Sequence, residues 1–428
     1  MSVKVLNSGD YLEHNLVNDL FALEVEELVS KGLLQKTGAR LKVNFAGLVI
    51  TSDQLIISLP KTLDYENQQL SKVQLAQLLF QVFKKYFSSS QRKSLSVEPD
   101  QVRSNIINGI SAEKILIDYV RNGYLNFHSK ELSKNYSGKI DWGRTINKIN
   151  PIHSQQNVVY SDVLAEKKTT EKKLITDIHK LIVYECWEKI GTLLDLPVPD
   201  YINLNLHRSK MVYVLQNFLR NVYDNKRINT LKILLRYLKT GSVSQQASSE
   251  FYLGSTNFDL VWEDICLNLF KVSELKTLNS KLGFEWKDSQ LLGGEEYTNT
   301  IIPDILVRDD DSLFVVDAKN YNLKKSRPGQ ADLWKQFYYA VSMDTIAKEN
   351  NLSLANLLFF PSLKNTLDDS NIKLLSTIYP TINESREDIH QPIYCFGLDL
   401  IECMKVYTSK EEWFSLKQPI KEGIQYNI

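Results

Sequence analysis

The sequence predicts a multidomain α+β protein, with an N-terminal α/β module containing a β-hairpin, a helical middle region and a C-terminal α+β domain. Three observations predict this class. Residues 41–61 have the pattern of a β-hairpin, residues 166–239 have helical periodicity, and residues 301–318 contain two apolar runs around a polar turn. A chain of 428 residues can form two or three domains with separate cores. We place the domains at 1–160, 161–245 and 246–428.

The composition is that of an ordinary soluble globular protein, with 43% hydrophobic and 24% charged residues. The 51 basic and 51 acidic residues cancel, so any contact with nucleic acid must come from a local patch or from a partner. The four cysteines show neither metal-ligand nor disulfide spacing, and the six histidines are scattered. The sequence has no signal-peptide pattern and no run of about 18 apolar residues. We therefore expect a protein of the prokaryotic cytoplasm.

The N-terminal module begins with the predicted hairpin. Leu41, Val43 and Phe45 alternate with polar residues, residues 52–53 form the turn, and residues 55–59 return before Pro60. Residues 73–87 predict a helix. Residues 115–132 predict another helix followed by a turn near residues 122–123, and residues 138–151 predict a short strand with a polar exit.

The middle region is predicted to be helical because its apolar residues recur at helical spacing. One stripe contains Leu174, Ile178, Leu181, Ile182, Cys186 and Ile190, and a second contains Met211, Leu215, Phe218, Leu219 and Val222. Both stripes are typical of core. Five basic residues then form either a DNA-facing patch or, as helices more often have, a solvated face: Lys226, Arg227, Lys232, Arg236 and Lys239. The polar residues 243–257 predict the entry to the C-terminal domain.

The C-terminal domain contains the most informative stretch, a Pro-Asp at Pro303 and Asp304 followed by Asp-Ala-Lys at residues 317–319. Two strands are predicted, over residues 301–307 and 313–318, with a polar turn between them. Side chains alternate along a strand, so Asp317 and Lys319 share a face, and the adjacent strand can bring Asp304 close to them. Two carboxylates are ligands that Mg²⁺ accepts while it keeps several waters, and Lys319 can orient or deprotonate one of those waters. This pattern predicts a metal-dependent nuclease site.

The arrangement resembles the PD-(D/E)XK nuclease superfamily, with Asp304, Asp317 and Lys319 at the motif positions. That resemblance implies a restriction-endonuclease-like αβββαβ core and an acidic residue on the preceding helix. Residues 258–270 have helical spacing and offer Glu263 and Asp264, of which we favour Glu263. The next predicted helix starts near Pro328 and carries Gln336, which is available to touch substrate or metal-bound water.

Short motifs also match by chance. If this match is one of chance, the Pro-Asp and Asp-Ala-Lys residues are only a pair of surface turns. The apolar strands on each side, the helix before and the helix after favour the nuclease, because each lies where the core requires it. Glu263 has its own alternative, since a Glu beside Trp262 on an amphipathic helix is about as often a solvated position as a metal ligand.

A narrower resemblance covers most of the chain. Four segments occur in the order found in McrC-type restriction subunits, and particularly in their LlaJI-family branch. They are LPK at 59–61, GKIDWGRTI at 138–146, FYLGSTNFDLVWEDIC at 251–266 and the PD…DAK site. Proteins of this type are nuclease partners of a ring-forming, hexameric AAA+ GTPase of the McrB kind, which recognises and translocates DNA. Their N-terminal region docks on the ring and stimulates GTP hydrolysis.

The resemblance therefore implies the DNA-cleaving subunit of a nucleotide-dependent restriction system, using Mg²⁺ or Mn²⁺ on double-stranded DNA, with no membrane involved. The chain has no P-loop GxxxxGK[ST], which fits a subunit that leaves nucleotide hydrolysis to a partner. Arg144, Lys139 and Lys61 are candidates for docking, or else ordinary solvated charges. Two alternatives remain: a stand-alone PD-(D/E)XK nuclease in phage defence or repair, and a scaffold that activates a motor and has a vestigial site.

Overall fold

A computed structural model gives the fold, and it describes the chain except for a set of terminal and internal residues. The residues outside the description are 1, 22–24, 52–53, 68, 89–99, 127–129, 136–138, 155–156, 169, 241–250, 271–283, 287–296, 300–302, 310, 322, 324–325, 369, 381–390, 410–415 and 426–428. The predicted turn at 52–53, most of the predicted domain entry at 243–257 and the start of the predicted strand 301–307 lie among them.

The strands of the described residues are numbered in chain order. They are β1 Ser2–Asn7, β2 Tyr11–Leu12, β3 Leu34–Thr37, β4 Arg40–Val43, β5 Ala46–Ile50, β6 Gln54–Leu59, β7 Lys130–Lys134, β8 Ile152–Ser154, β9 Asn157–Val159, β10 Leu164–Lys168, β11 Phe251–Ser255, β12 Phe284–Trp286, β13 Tyr297–Asn299, β14 Ile305–Arg308, β15 Ser312–Ala318, β16 Ser353–Ser362, β17 Ile372–Ile378 and β18 Ile393–Asp399.

The helices are numbered in the same way. They are α1 His14–Phe21, α2 Val25–Ser30, α3 Lys72–Ser88, α4 Asp100–Asn122, α5 Trp142–Lys148, α6 Thr170–Ile190, α7 Arg208–Leu219, α8 Asn225–Thr240, α9 Phe258–Leu269, α10 Gln330–Glu349, α11 Leu400–Thr408 and α12 Lys417–Gln425. The mixture of helices and separate sheets confirms the predicted α+β class. No helix within the described residues is long and apolar enough to cross a membrane.

The chain forms two compact units. The first joins residues 1–106 to residues 250–428, and the second contains residues 107–249. The second unit ends at residue 249, near the predicted boundary at 245, whereas neither unit begins or ends near 160. The N-terminal sheet lies in the same unit as residues 250–428. The functional division into 1–160, 161–245 and 246–428 stays a prediction.

The first unit contains a four-stranded sheet of order β1-β6-β5-β11. Its centre is the predicted hairpin, as β5 and β6 pair antiparallel and are almost entirely buried. Residues 41–43, expected in the same hairpin, instead belong to β4 in the separate β2-β4-β3 sheet. Strand β11 pairs with β5 so closely that a Cβ on Gly254 would lie 2.4 Å from the Ala46 carbonyl oxygen, which only glycine permits.

The same unit contains a five-stranded sheet of order β14-β15-β16-β18-β17. Strands β14 and β15 form an antiparallel hairpin, and β15 continues through α10 to the parallel neighbour β16. All seven residues of β15 are buried, as expected for a strand covered on its faces by other elements. Helix α10 packs Tyr339, Ala340 and Met343 against this sheet in one apolar cluster, and α9 also contacts β15.

The C-terminal elements match the prediction with two corrections. Helix α9 was predicted over 258–270, and its apolar positions Phe258, Val261, Trp262, Ile265 and Leu269 are all buried. The helical spacing of Trp334, Phe337, Tyr338 and Val341 predicts one apolar stripe for α10, and this is wrong for two of them, because Trp334 is 60% exposed and Val341 is 48% exposed. The buried stripe instead includes Gln336, Ala340, Met343 and Ala347, at spacings of three and four residues. Helix α10 also begins after Pro328, with Gly329 as its N-cap.

The second unit contains α5 to α8, most of α4 and two small antiparallel pairs, β7 with β10 and β8 with β9. The predicted helix over 115–132 ends at Asn122, with the turn at Gly123 (φ +71°), and residues 130–134 form a strand. Residues 138–151 were predicted as a short strand with a polar exit, and of these Ile140 forms a single β-bridge with Ala165 whereas residues 142–148 form a helix. Asp141 caps helix α5 by accepting a hydrogen bond from the Arg144 amide, 3.0 Å, so this segment is helical.

The predicted helical middle is confirmed as α6, α7 and α8, preceded by strand β10 over residues 164–168. From the first stripe, the buried side chains are those of Ile178, Ile182, Cys186 and Ile190, and from the second those of Met211 and Leu215. The remaining stripe residues are half-buried.

Candidate active site

The two carboxylates predicted for the site lie next to each other at the end of the β14–β15 hairpin. Asp304 immediately precedes β14, whose Ile305 lies opposite Val316 of β15. The Asp304 Oδ2 accepts a hydrogen bond of 2.9 Å from the Ala318 amide, which fixes the Asp304 side chain beside Asp317. The structure therefore brings together two residues that lie 13 positions apart in the sequence.

Lys319 completes this cluster. Its Nζ lies 2.7 Å from the Asp317 Oδ2 and 3.5 Å from the Asp332 Oδ1. Asp332 is in the first turn of α10 and also accepts a hydrogen bond from the Tyr321 hydroxyl, 3.0 Å. Burial alone lowers the pKa of Lys319, but the hydrogen bond and charge of Asp317, with the charges of Asp332 and Asp304, raise it above its ordinary value.

Burial and then like charges act on the carboxylate side of the cluster. Burial, followed by the negative charges of Asp317 and Glu263, raises the pKa of Asp304 to about 7. Burial and the charge of Asp317 also raise the pKa of Glu263, against the opposing effect of Lys319. Glu263 is on α9, so the predicted helix does deliver its carboxylate to this region. Its assignment as a metal ligand stays a prediction.

These features fit a divalent cation. Asp317 is 1% exposed, and its Oδ1 is buried without a hydrogen-bond partner among the described residues. A buried acceptor oxygen in that condition is costly unless a hydrogen-bond donor or a cation satisfies it. No group of three or more His, Cys, Asp or Glu within the described residues stands close enough to hold a metal ion. The fitting donor set is therefore the Asp304–Asp317 pair with water, a mode that Mg²⁺ often adopts.

Gln336 lies deeper than predicted for a residue that touches substrate. It is 1% exposed, and its Nε2 lies within hydrogen-bond distance of the Val315 and Leu357 carbonyls and of the Asn356 Oδ1. These contacts tie α10 to β15 and β16. The Oε1 of Gln336 is buried without a partner among the described residues. The contact of Gln336 with substrate or metal-bound water stays a prediction.

Lys61 lies beside this cluster, although the sequence placed it among the partner-docking candidates. Its Nζ is 3.5 Å from the Asp259 Oδ1 and 5.7 Å from the ring centroid of Tyr321. Asn320, which follows Lys319, donates to the same Asp259 oxygen at 2.9 Å and is within 3.4 Å of the Thr62 hydroxyl. The end of β6 is thus linked to α9 and to the residue after the Asp-Ala-Lys motif.

Arg144 and Lys139, the other two docking candidates, are in the second unit. The Arg144 Nε lies 3.7 Å from the Asp141 Oδ2 and the side chain is 59% exposed, and Lys139 is exposed as well. Both are accessible to a partner, and their docking role stays a prediction.

Sequence reasoning missed Asp259, Asn320 and Asp332. Asp259 is four residues before Glu263 on α9, so the two share a helix face. Asn320 directly follows the motif. These two positions could have been found, whereas Asp332 depends on how α10 packs.

Comparison with known proteins assigns the chain to a restriction endonuclease family. Residues 45–381 match the family model described as LlaJI restriction endonuclease. The chain belongs to the LlaJI restriction endonuclease family, which confirms the resemblance drawn from the four sequence segments.

Individual proteins are more distant. The Type II restriction enzyme BsuMI component YdjA of Bacillus subtilis (strain 168) is 25% identical over 367 residues, which cover 79% of this chain and 77% of that protein. Among solved structures, the half-complex of Thermococcus gammatolerans McrB AAA+ hexamers with bound McrC matches with 12% identity and a TM-score of 0.43, covering all of both chains. The McrBC complex of the same organism matches with 13% identity and a TM-score of 0.24, covering 64% of this chain and 90% of that one.

Proposed function

We propose that this chain is the DNA-cleaving subunit of a nucleotide-dependent restriction system and that it hydrolyses phosphodiester bonds with a divalent metal ion. The observation that carries the proposal is the pair of the half-buried Asp304 and the buried Asp317, with the Lys319 Nζ 2.7 Å from the Asp317 Oδ2. Membership of a restriction endonuclease family supports an endonuclease activity for the chain. The residues of the candidate site are suited to catalyse that reaction.

The order of elements around the site supports a PD-(D/E)XK core. Helix α9 precedes the β14–β15 hairpin, and α10 leads to the parallel strand β16. Asp304, Asp317 and Lys319 take the motif positions, with Glu263 on the preceding helix. Asp304 and Asp317 would hold Mg²⁺, or Mn²⁺ in its place.

The residues of the chain divide the chemical work. A bound divalent ion supplies positive charge to a phosphate that becomes more negative during attack and increases the acidity of a bound water. Asp304 and Asp317 would hold the ion at one edge of the sheet. Lys319, whose Nζ lies 2.7 Å from the Asp317 Oδ2, is placed to orient the attacking water, to take its proton, or to donate a hydrogen bond to a phosphate oxygen.

The partner is proposed to be an AAA+ GTPase that the chain also stimulates. The four McrC-like segments imply this partner, and the relative YdjA is itself described as a component of a restriction enzyme. The sequence contains no P-loop, so a system that uses nucleotide needs another chain for it. Arg144 and Lys139 are the proposed docking residues.

The test is a DNA cleavage assay in Mg²⁺ on full-length variants, with the proposed AAA+ GTPase partner present. Asp304→Ala, Asp317→Ala and Lys319→Ala are each expected to abolish cleavage without loss of folding or partner binding, because each removes one element of the site. Glu263→Ala should give an equal or smaller loss. Asp344→Ala is the matched control, since it removes a surface carboxylate of α10 that pairs with Lys348. Undiminished cutting by Asp317→Ala would refute the assignment.

A further inference from the structure

The neutral net charge of the chain conceals a strong separation of charge between its two compact units. Residues 107–249 contain 21 lysines and arginines against 13 aspartates and glutamates, a net charge of +8. The remaining residues contain 30 against 38, a net charge of −8. The unit that carries the carboxylate site is therefore the one that repels a polyanion, and the other unit is the one that attracts it.

The positive charge is concentrated on α7, α8 and the turn between them. Residues 208–240 contain eight lysines and arginines and a single acidic residue, Asp224. Asp224 is committed to capping α8, because its Oδ1 accepts hydrogen bonds from the amides of Lys226 at 2.8 Å and Arg227 at 3.2 Å. Arg208 is paired with Glu185 at 3.1 Å. Helix α8 itself contains five lysines and arginines and no acidic residue.

Helix α8 presents part of this charge on one regular face. Its exposed positions include Asn225, Asn229, Lys232, Arg236 and Lys239, at successive spacings of four, three, four and three residues. These side chains are aligned along one side of the helix. The opposite side is anchored in the unit through buried residues, among them Leu231, Leu234, Tyr237 and Leu238. We call the aligned exposed residues the α8 face.

A second observation favours nucleic acid as the occupant. Tyr223, in the turn before α8, is 90% exposed, and Tyr213 on α7 is 65% exposed. Exposed tyrosines next to lysines, arginines and asparagines are the side chains that proteins use to contact phosphates and sugars. An acidic protein surface would also attract the cations. However, it would not explain a face whose uncharged positions are hydrogen-bonding amides.

We infer that the α8 face binds the phosphate backbone of the DNA that the chain cleaves, independently of its sequence. The inference rests on the proposed function, since it assigns the substrate of that site to a second surface. Lys232, Arg236 and Lys239 supply the charge, and Asn225 and Asn229 supply hydrogen bonds. For Lys232, Arg236 and Lys239, the inference favours a DNA-facing patch over the solvated helix face that the sequence left as the alternative.

The test measures binding of full-length protein to a fluorescent duplex by anisotropy, without divalent metal so that cutting is excluded. The Lys232→Ala/Arg236→Ala/Lys239→Ala variant should bind at least about ten-fold more weakly at about 50 mM salt, and the slope of log K against log salt should fall by about 3. The Lys232→Arg/Arg236→Lys/Lys239→Arg variant keeps the charge and should bind like the native chain.

A matched control removes the same charge elsewhere in the same unit. Lys114, Lys134 and Lys148 are exposed and lie on α4, β7 and α5. Their triple alanine variant should retain most of the binding. Equal loss in both triple variants, or no loss in the α8 variant, would overturn the inference. Loss of binding to the AAA+ partner with unchanged DNA binding would overturn it too and would make the face a protein-docking surface.

The same assay separates this inference from the proposed function. Asp317→Ala should bind the duplex normally and fail to cut it. If Asp317→Ala cuts DNA, the proposed active site is wrong. The weaker DNA binding of the α8 triple variant would still support the inference about the α8 face.

Discussion

Asp317 shows at the scale of one residue why the site has the form it does. One carboxylate oxygen is paired with Lys319 at 2.7 Å, and the other is buried without a partner among the described residues. A folded protein rarely keeps such an atom unless a ligand satisfies it. The sequence could identify Asp304, Asp317 and Lys319 because they follow from alternation along two adjacent strands. It could not identify Asp332, which reaches Lys319 only through the packing of α10.

His179 gives a residue-scale prediction for the second unit. Its Nδ1 accepts a hydrogen bond of 2.9 Å from the Leu125 amide, and the ring is fully buried. Burial lowers the pKa of His179 from 6.5 to about 4, against the opposing charge of Asp118. The unfolded chain binds the His179 proton more tightly than the folded chain does. The stability that depends on a neutral His179 is therefore fully present above about pH 6.5. It is lost progressively as the pH falls toward 4, to a total of about 3 kcal/mol.

The measurement compares urea unfolding of the native chain and His179→Asn at pH 7 and pH 5. Asparagine keeps an acceptor for the Leu125 amide but does not titrate. The variant should be less stable at pH 7, because it loses the edge contact with the Tyr124 ring, and its stability should fall less between pH 7 and pH 5. An equal fall in both proteins would show that His179 is not the source.

At the scale of elements, the end of β6 joins the site through Lys61. Its ion pair with Asp259 at 3.5 Å joins side chains that are 44% and 56% exposed, so it contributes little to stability. We therefore expect Lys61→Ala to leave the unfolding temperature unchanged. Cleavage should slow several-fold even without the AAA+ partner, since a cation next to Asp259 and Tyr321 is lost from the site.

Partner-free cleavage is the decisive readout for Lys61, because a role limited to docking would leave it unaltered. Lys36→Ala is the control, as Lys36 pairs with Glu26 at 3.4 Å on the surface of the same unit. If Lys61→Ala cuts normally alone and fails only with the partner, the docking role first predicted for Lys61 is correct.

Helices and strands could be predicted where the sequence pattern that forms them lies within the element itself. The β14–β15 hairpin and α9 follow from apolar periodicity, and the structure places both close to the predicted bounds. The pairing of β11 with β5 was not predictable, because the partners are far apart in the sequence. Residues 142–148 form a helix because Asp141 caps its first turn, a local signal that the prediction of a short strand with a polar exit did not use.

At the scale of the whole molecule, the first unit is built from both ends of the chain. Helix α3 contacts α9 and α11, Phe83 packs edge-on against Phe258, and Lys85 donates to the Tyr407 carbonyl at 2.6 Å. A cut near Asn257 would expose both sides of this packing. The partner-docking role of the N-terminal half therefore has to be tested with full-length variants, because fragments divided at that point separate the two halves of one core.

Arg144 provides that test. It is 59% exposed on α5, within the segment that carries the McrC-like resemblance, and its guanidinium can contact carboxylates or phosphates in pairs. In steady-state assays of the proposed AAA+ GTPase partner, full-length Arg144→Ala should stimulate GTP turnover less than the native chain, and Lys139→Ala should have a smaller effect. Asp317→Ala should stimulate fully although it cannot cut, since its defect is in the other compact unit. Lys114→Ala, which removes an exposed cation of α4, controls for charge. Full stimulation by Arg144→Ala would exclude α5 from the docking surface.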